Sequence, residues 1–257
     1  MSKVGLGKDK ADQILLNVYE SKRTKSKETI LLVGGSGDDR NKFENVVYQI
    51  QNKLPGYRVV TISFRGTESK KEHSLFNQIK ELEEVVEYLS RNGSRKIVLV
   101  CTSAGAVSTA KILAHPKYAQ HFNRAIFLDP ADYRNVEDEL ETWSGLEKFN
   151  PEDLLAARNM AKIDSDVKVY VVNFLLRNYG KTGYVATNKR GDDNPELFER
   201  LNNKMVRYFY ENTPAKNRGA YLEDKILPHA IIRDGDIAKN EVRVANIITD
   251  LISRTGN

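Results

Sequence analysis

Short apolar runs alternate with amphipathic helical patterns along most of this 257-residue chain. Such alternation is typical of a largely parallel sheet that is flanked by helices on both faces. The runs that predict strands are Ile14–Tyr19, Thr29–Val33, Tyr57–Phe64, Lys96–Val100, Ala125–Leu128 and Val167–Phe174. The chain therefore predicts an α/β architecture, and we expect residues 1–257 to form a single domain.

Between these runs, apolar side chains recur at three- and four-residue steps, as in helices with one buried face. The predicted helices cover residues 43–54, 76–89, about 104–113, 195–210 and the region around 244–251. A short run, Lys225–Leu227, leads into Pro228 and the C-terminal helix. Each predicted helix after the first strands thus connects two segments of the predicted sheet or follows its last one.

Residues 131–166 depart from this alternation of strand and helix patterns. The region is acidic and contains Trp143, the only tryptophan of the chain. Asn150 and Pro151 are followed by two carboxylates, which is typical of a helix start because the acids lie at the positive end of the helix dipole. Since the region comes between two predicted strands, we expect a short cap inserted over one edge of the sheet.

Composition excludes several classes of protein and partner. Forty Lys and Arg against 35 Asp and Glu give a net charge of +5, which does not require an anionic partner, and we expect no nucleic acid. No run of about 18 apolar residues occurs, so we expect no membrane span, and the first residues lack a signal-peptide core. A single cysteine, Cys101, excludes an intrachain disulfide framework and favours a cytoplasmic location.

The strand predicted at Lys96–Val100 runs directly into Cys101-Thr102-Ser103-Ala104-Gly105 and then into a helix. A serine on a tight strand-to-helix turn, with small residues two places away on either side, is typical of a nucleophile elbow. The turn lifts the hydroxyl of Ser103 above the sheet edge. It also puts the Ala104 N–H at a helix N-terminus, where it can stabilise an oxyanion.

These residues resemble the α/β-hydrolase family, and the resemblance extends from about Ile14 to Ile252. The segment 101–105 stands where the family has Gly-x-Ser-x-Gly, with Cys101 in place of the first Gly. Gly34-Gly35-Ser36-Gly37 follows the strand at 29–33 and stands where the family has its oxyanion loop. The resemblance implies an α/β-hydrolase fold, in which the N–H groups of Ser36 and Ala104 form the oxyanion hole and Gly35 approaches the substrate.

The resemblance also implies a histidine base after the last strands of the sheet. The chain has four histidines, at positions 73, 115, 121 and 229. His229 alone follows the last predicted strands, and we therefore expect it to be the general base for Ser103.

Two aspartates are candidates for the acid that orients this base. Asp129 ends the strand at 125–128, where the chlorophyllase-like and platelet-activating-factor-hydrolase-like branches of the family place their acid. Asp193 stands 36 residues before His229, which is similar to the commoner order in the family. Asp193 is also a suitable N-cap for the helix at Pro195. Asp129 is slightly favoured, and both remain candidates.

Taken together, the sequence predicts a serine hydrolase that cleaves a carboxylic ester or thioester through an acyl-enzyme. We expect a small-molecule acyl substrate, with Trp143 shaping its pocket, and neither a cofactor nor a metal. Two alternatives remain: an acyltransferase that uses the same triad, and a silent binding protein with this fold. Three departures favour the binding protein: the missing Gly at position 101, the missing carboxylate after the strand at 167–174, and the missing histidine in the oxyanion loop. Intact candidates for every catalytic role favour the enzyme.

Overall fold

A computed structural model describes residues 1–7, 13–20, 28–35, 38, 40–65, 75–131, 133–136, 139–142, 154–174, 195–227 and 237–254. Its strands are β1 (Ser2–Leu6), β2 (Ile14–Tyr19), β3 (Glu28–Val33), β4 (Arg58–Ser63), β5 (Lys96–Ser103), β6 (Phe122–Pro130), β7 (Tyr133–Val136), β8 (Glu139–Thr142), β9 (Lys168–Phe174) and β10 (Arg218–Asp224). Its helices are α1 (Glu44–Lys53), α2 (Leu75–Arg91), α3 (Gly105–Leu113), α4 (Pro116–Ala119), α5 (Leu155–Met160), α6 (Pro195–Glu211) and α7 (Ile237–Ser253), with a 3₁₀ turn at Ala215–Asn217.

Eight of the strands form one sheet in the order β1-β2-β4-β3-β5-β6-β9-β10. β2 runs antiparallel to its neighbours β1 and β4, and the pairs from β4 to β10 are parallel. Nearly every residue of β3, β5 and β9 is buried, which explains their almost continuous apolar sequences. The predicted, mostly parallel sheet is confirmed.

Helices cover both faces of this sheet, as predicted. One core lies between the sheet and α2, α3, α5 and α6, and it contains Phe127, Phe209 and Cys101. The other core lies between the sheet and the pair α1 and α7, and it contains Phe174 and Leu227. Among the helices of the described residues, none combines the length and the apolar character that crossing a membrane requires.

The sheet differs from the sequence prediction at its two edges. Neither β1 nor the last strand, at Arg218–Asp224, was predicted, and the short run at Lys225–Leu227 follows this last strand. β10 is an edge strand whose residues are mostly exposed or half-buried, so its sequence lacks the apolar run of a central strand. Lys225 and Ile226 form a bend after the strand, and Ile226 is exposed.

Within the region predicted as a cap, the described residues form two elements. β7 and β8 pair as a small antiparallel hairpin. Further along, α5 is buried against the sheet, with Ala156, Ala157 and Met160 in the same core as α3. The predicted helix start at Asn150 and Trp143 lie outside the described residues, and the cap at 131–166 stays a prediction.

The pairing of the strands brings the chemically interesting residues to one edge. Thr102 pairs with Leu128, Leu128 with Val172, and Val172 with Leu222. The carboxyl ends of β5, β6, β9 and β10 are therefore level with one another. In open parallel sheets, ligands bind in the crevice outside these ends.

Candidate active site

Ser103 occupies a sharp turn between β5 and α3. β5 ends at Ser103 and α3 begins at Gly105, so the strand passes into the helix within two residues. The φ angle of Ser103 is 47°, in the left-handed region that L-residues other than Asn, Asp and Gly rarely adopt. This strained, half-buried serine has the backbone of a nucleophile elbow.

The turn is closed tightly against the loop that follows β3. A Cβ on Gly105 would lie 2.6 Å from the carbonyl oxygen of Gly34 and 3.2 Å from that of Val33. Only glycine therefore fits at this position without displacing the main chain. On the other side of the turn, a Cβ on Gly35 would lie 3.0 Å from Cβ of Ser103 and 3.5 Å from its Oγ. A side chain at position 35 would therefore crowd the candidate nucleophile.

Asp38 holds this glycine loop in shape. Its Oδ2 accepts a hydrogen bond from the Gly35 N–H at 2.8 Å, and the Asp38 N–H donates to the Gly35 carbonyl oxygen at 3.3 Å. Lys42 forms an ion pair with Oδ1 of the same carboxylate. Because the Gly35 N–H is used within the loop, it is not the donor for a substrate oxyanion. Ser36, the donor that the sequence predicts, lies outside the described residues.

β4 fixes the far end of the same loop. The Arg40 N–H donates to Oγ of Ser63 at 2.6 Å, and the Thr61 hydroxyl donates to the Arg40 carbonyl oxygen at 2.7 Å. α1 begins only at Glu44, after Phe43 at the N-cap, which makes no side-chain cap. Asp38 therefore closes the loop after β3 and is not the N-cap of α1.

Ala104 is buried at the N-cap position of α3, directly after Ser103. The first N–H groups of a helix have no intrahelical acceptor and lie at the positive end of its dipole. The Ala104 amide, which the sequence predicts as an oxyanion donor, is therefore in a position that favours negative charge beside Ser103.

Asp129 lies at the end of β6, next to the nucleophile turn. Ser103 pairs with Pro130, and the Ala131 N–H donates to the Ser103 carbonyl oxygen at 3.1 Å. The Asp129 side chain is only 2% exposed, and its Oδ1 accepts a hydrogen bond from the Phe174 N–H of β9 at 3.2 Å. Its φ angle is 45°, so Asp129 is also left-handed. The structure thus brings this predicted acid to the same edge as Ser103.

The described histidines lie away from this edge. The His121 carbonyl oxygen accepts a hydrogen bond from the Ile97 N–H, which is roughly 20 Å from Ser103 along β5. His115 follows α3, whose length carries the chain roughly 13 Å away from the turn, and its ring lies 5.1 Å from that of Tyr118. His73, His229 and Asp193 lie outside the described residues.

Cys101 stands where the resemblance predicts glycine. Its side chain is 1% exposed and lies in the core that contains α3. Burial raises the pKa of the Cys101 thiol well above its ordinary value, so the group stays protonated near neutral pH. The thiol therefore acts as a packing group beneath the turn.

Known structures share this fold over nearly the whole chain. Est1E from Butyrivibrio proteoclasticus is 12% identical, with a TM-score of 0.60 over 99% of this chain and 100% of that one. An alpha-beta serine hydrolase homologue from Coxiella burnetii is 13% identical, with a TM-score of 0.62 over 98% and 97%. A dienelactone hydrolase from Anabaena variabilis is 10% identical, with a TM-score of 0.61 over 98% and 95%. No protein-family model matches the chain, and no curated protein is significantly similar to it in sequence.

Proposed function

The chain has the α/β-hydrolase fold that the sequence predicts, and from this premise we propose that it is a serine hydrolase that cleaves a carboxylic ester or thioester. Ser103 is the nucleophile, His229 the general base and Asp129 the acid that orients the base. The N–H groups of Ala104 and Ser36 stabilise the oxyanion. The names of the structural neighbours, which include a serine hydrolase homologue, a dienelactone hydrolase and a thioesterase domain, support this class of reaction.

One observation carries the proposal. Among the described residues, Ser103 and Asp129 are the two non-glycine residues with a left-handed backbone. For a serine this backbone is strained, and such strain is found preferentially at functional sites, whereas aspartate adopts it more readily. The two residues end neighbouring strands at the edge of the sheet where ligands bind in such folds, and they are the residues that the sequence predicts as nucleophile and acid.

The course of the chain after β10 supports His229 as the base. β10 lies three strand spacings from β5, which is roughly 14 Å, and its end is level with Ser103. His229 follows Asp224 by five residues, so the chain reaches position 229 from the edge of the sheet at which β5 and Ser103 also end. This order along the chain supports His229 as the base.

The proposed chemistry proceeds in two halves. Oγ of Ser103 forms a bond to the acyl carbon while His229 takes the hydroxyl proton, and the carbonyl electron pair moves onto the oxygen held by the Ala104 and Ser36 N–H groups. The intermediate then expels the alcohol or thiol, which takes the proton from His229. Water next attacks the acyl carbon and gives a proton to His229. The second intermediate breaks its bond to Oγ of Ser103, which takes that proton back, so the acid leaves and the free serine is restored.

The structure reduces the weight of the binding-protein alternative. Part of its sequence support came from Cys101 in place of glycine, and the strand side of the turn has room for this side chain in the core. Transfer of the acyl group to an acceptor other than water would use the same residues. Analysis of the products in the presence of competing alcohols or amines separates the two reactions.

A fluorophosphonate probe tests the nucleophile directly. We expect the wild-type protein to be labelled at Ser103 and the Ser103→Ala variant to remain unlabelled, while Ser108→Ala is labelled like the wild type. Ser108 is a suitable control because its buried hydroxyl donates within α3, to the Gly105 carbonyl oxygen. Equal labelling of wild type and Ser103→Ala would reject the proposal.

The choice between the two acids is tested by matched substitutions. Asp129→Asn keeps an oxygen that can accept the Phe174 N–H but removes the charge, so the fold is preserved while the imidazolium loses its partner. We expect kcat/KM for an activated ester to fall about 10³-fold or more, and Asp193→Asn to have little effect. The reverse result would assign the acid to Asp193 and leave Asp129 as a structural residue of the turn.

A further inference from the structure

Asp224, the last residue of β10, is a buried carboxylate that the proposed reaction does not use. Its side chain is 5% exposed. Its Oδ1 accepts two main-chain hydrogen bonds, from the N–H groups of Ile226 and Leu227, both at 2.9 Å. One carboxylate oxygen therefore fixes the direction of the three residues that follow the strand.

The other oxygen of Asp224 is tied to the neighbouring helix. Its Oδ2 accepts a hydrogen bond from Nε of Arg243 on α7 at 2.7 Å. Charge-assisted bonds of this kind are shorter and stronger than neutral ones, and partial burial reduces their screening. The carboxylate thus joins the end of β10 to α7 as well as to the bend that follows it.

The bend ends in a second anchor. Leu227 is fully buried in the core between the sheet and α7, with Val244 and Ile248 among the residues of that core. Ile226, one residue earlier, is exposed. Position 227 is therefore fixed by its side chain and by its N–H at once, and the chain continues from this fixed point to Pro228 and His229.

We infer that Asp224 is a positioning residue for the base, because it sets the point and direction from which His229 approaches Ser103. This inference rests on the proposed function, in which His229 removes the proton from Ser103. A general base must lie within hydrogen-bond reach of its proton, and misplacement by about 1 Å can cost 10²-fold in rate. Asp224 itself touches neither substrate nor nucleophile.

The test compares Asp224→Ala with Asp224→Asn and with Asn217→Ala. Asn217 is the control, in the 3₁₀ turn directly before β10: it is fully buried, and its amide donates to the carbonyl oxygens of Ser165 and Val167 at 2.6 and 2.9 Å. Both alanine variants remove two side chain–main chain hydrogen bonds beside β10, and Asp224→Ala also removes the ion pair with Arg243. Only Asp224→Ala releases the segment that leads to His229.

We expect Asp224→Ala to lower the rate constant of fluorophosphonate labelling by about ten- to a hundredfold at every pH, including the high-pH plateau where the base is neutral. For an ester that is turned over, kcat should fall with little change in KM. Asp224→Asn should recover most of the rate because it retains the accepting oxygen. Asn217→Ala should also lower the melting temperature, but its rate constant of labelling on the high-pH plateau should equal that of the wild type.

The outcomes separate this inference from the proposed function. Suppose that the wild type is labelled at Ser103 and that Asp224→Ala has the same rate constant of labelling at high pH as Asn217→Ala. The positioning role is then wrong, and the proposed function stands. If wild type shows no labelling that depends on Ser103, the proposed function fails and this inference fails with it. If Asp224→Asn is no better than Asp224→Ala, the accepting oxygen does not set the position of the base, and the inference is also wrong.

Discussion

Cys101 and Gly105 stand two residues before and two residues after Ser103, and the two sides of the turn obey different packing rules. On the helix side, any Cβ at position 105 would meet main-chain oxygen atoms of Gly34 and Val33. On the strand side, the Cys101 side chain is directed into the core and is accommodated there without exposure. Glycine is required where α3 crosses the loop after β3, and it is not required beneath the turn.

This difference explains how the chain departs from the family pattern and keeps the elbow. The two glycines of Gly-x-Ser-x-Gly express two separate constraints. The close approach of main chain to main chain at Gly105 cannot be relieved by a rotamer change, since carbonyl oxygens of a buried strand end are involved. The constraint at position 101 concerns only the volume of the side chain, and neighbouring side chains of the core can repack to accommodate it.

Among substitutions at the glycines and the cysteine around the turn, the largest effect on labelling is expected from Gly105→Ala. The added methyl group would have to displace the main chain at Gly34, so α3 and the loop after β3 must separate. Overpacking of this kind costs about 1–3 kcal/mol, and the displacement of Ser103 from Gly35 should lower fluorophosphonate labelling roughly 10²-fold. Labelling kinetics and urea unfolding measure the two effects.

Gly56→Ala is the matched control for this substitution. A Cβ on Gly56 meets no atom within 4 Å, and the residue follows α1 away from the site. We expect labelling like that of the wild type and a free energy of unfolding that is unchanged or slightly higher. A Gly105→Ala variant as stable and as reactive as Gly56→Ala would show that the contact with Gly34 does not hold the elbow closed.

The next largest effect on labelling is expected from Gly35→Ala, on the loop that faces the turn. Its methyl group would lie 3.0 Å from Cβ of Ser103, which is tight, although the contact is with a side chain and not with main chain. We therefore expect labelling to fall about tenfold while the free energy of unfolding changes by less than about 1 kcal/mol. Equal losses of stability in Gly35→Ala and Gly105→Ala would remove the distinction between the two contacts.

The sequence could predict the features that depend on residues near one another in the chain, and it could not predict those that depend on distant residues. Central strands such as β5 and β9 are buried almost throughout, so their apolar runs identified them within a few residues. The edge strands β1 and β10 mix polar and apolar residues because they are largely exposed or half-buried, and the sequence prediction missed them. The elbow at Ser103 was predictable because all of its residues are adjacent in sequence.

The contacts that hold the candidate site join residues far apart in the chain. The bond between Asp129 and the Phe174 N–H spans 45 residues, and that between Asp224 and Arg243 spans 19. No local pattern marks such pairs, and the sequence identified Asp129 only through the family resemblance. Asp38 lay within the glycine loop, where a carboxylate three residues after Gly35 could have been recognised as a turn-closing residue. The roles of His229, Asp193, Ser36 and Trp143 stay predictions.

Cys101→Gly restores the family pattern and tests the strand side of the turn. It removes a buried side chain from the core and adds backbone freedom to a strand, so we expect the free energy of unfolding to fall by about 2 kcal/mol. Labelling of Ser103 should stay close to that of wild type, since no contact at the turn depends on the thiol. A clear gain in labelling would mean that Cys101 impairs the elbow, and the binding-protein alternative would regain its support.

The smallest effect is expected from the ionisation of the Cys101 thiol. Burial raises its pKa in the folded protein, whereas the thiol of the unfolded chain ionises near pH 8.5. Above that pH the unfolded state releases a proton that the folded state keeps, so wild type loses stability relative to Cys101→Ala as the pH rises. Urea unfolding under reducing conditions should show the difference between the two proteins shift by about 1 kcal/mol between pH 8 and 9.5. If the difference in the free energy of unfolding does not change with pH, the thiol ionises as easily in the folded protein as in the unfolded chain. Cys101 would then not be a buried packing group, and the contrast between the strand side of the turn and Gly105 would fail.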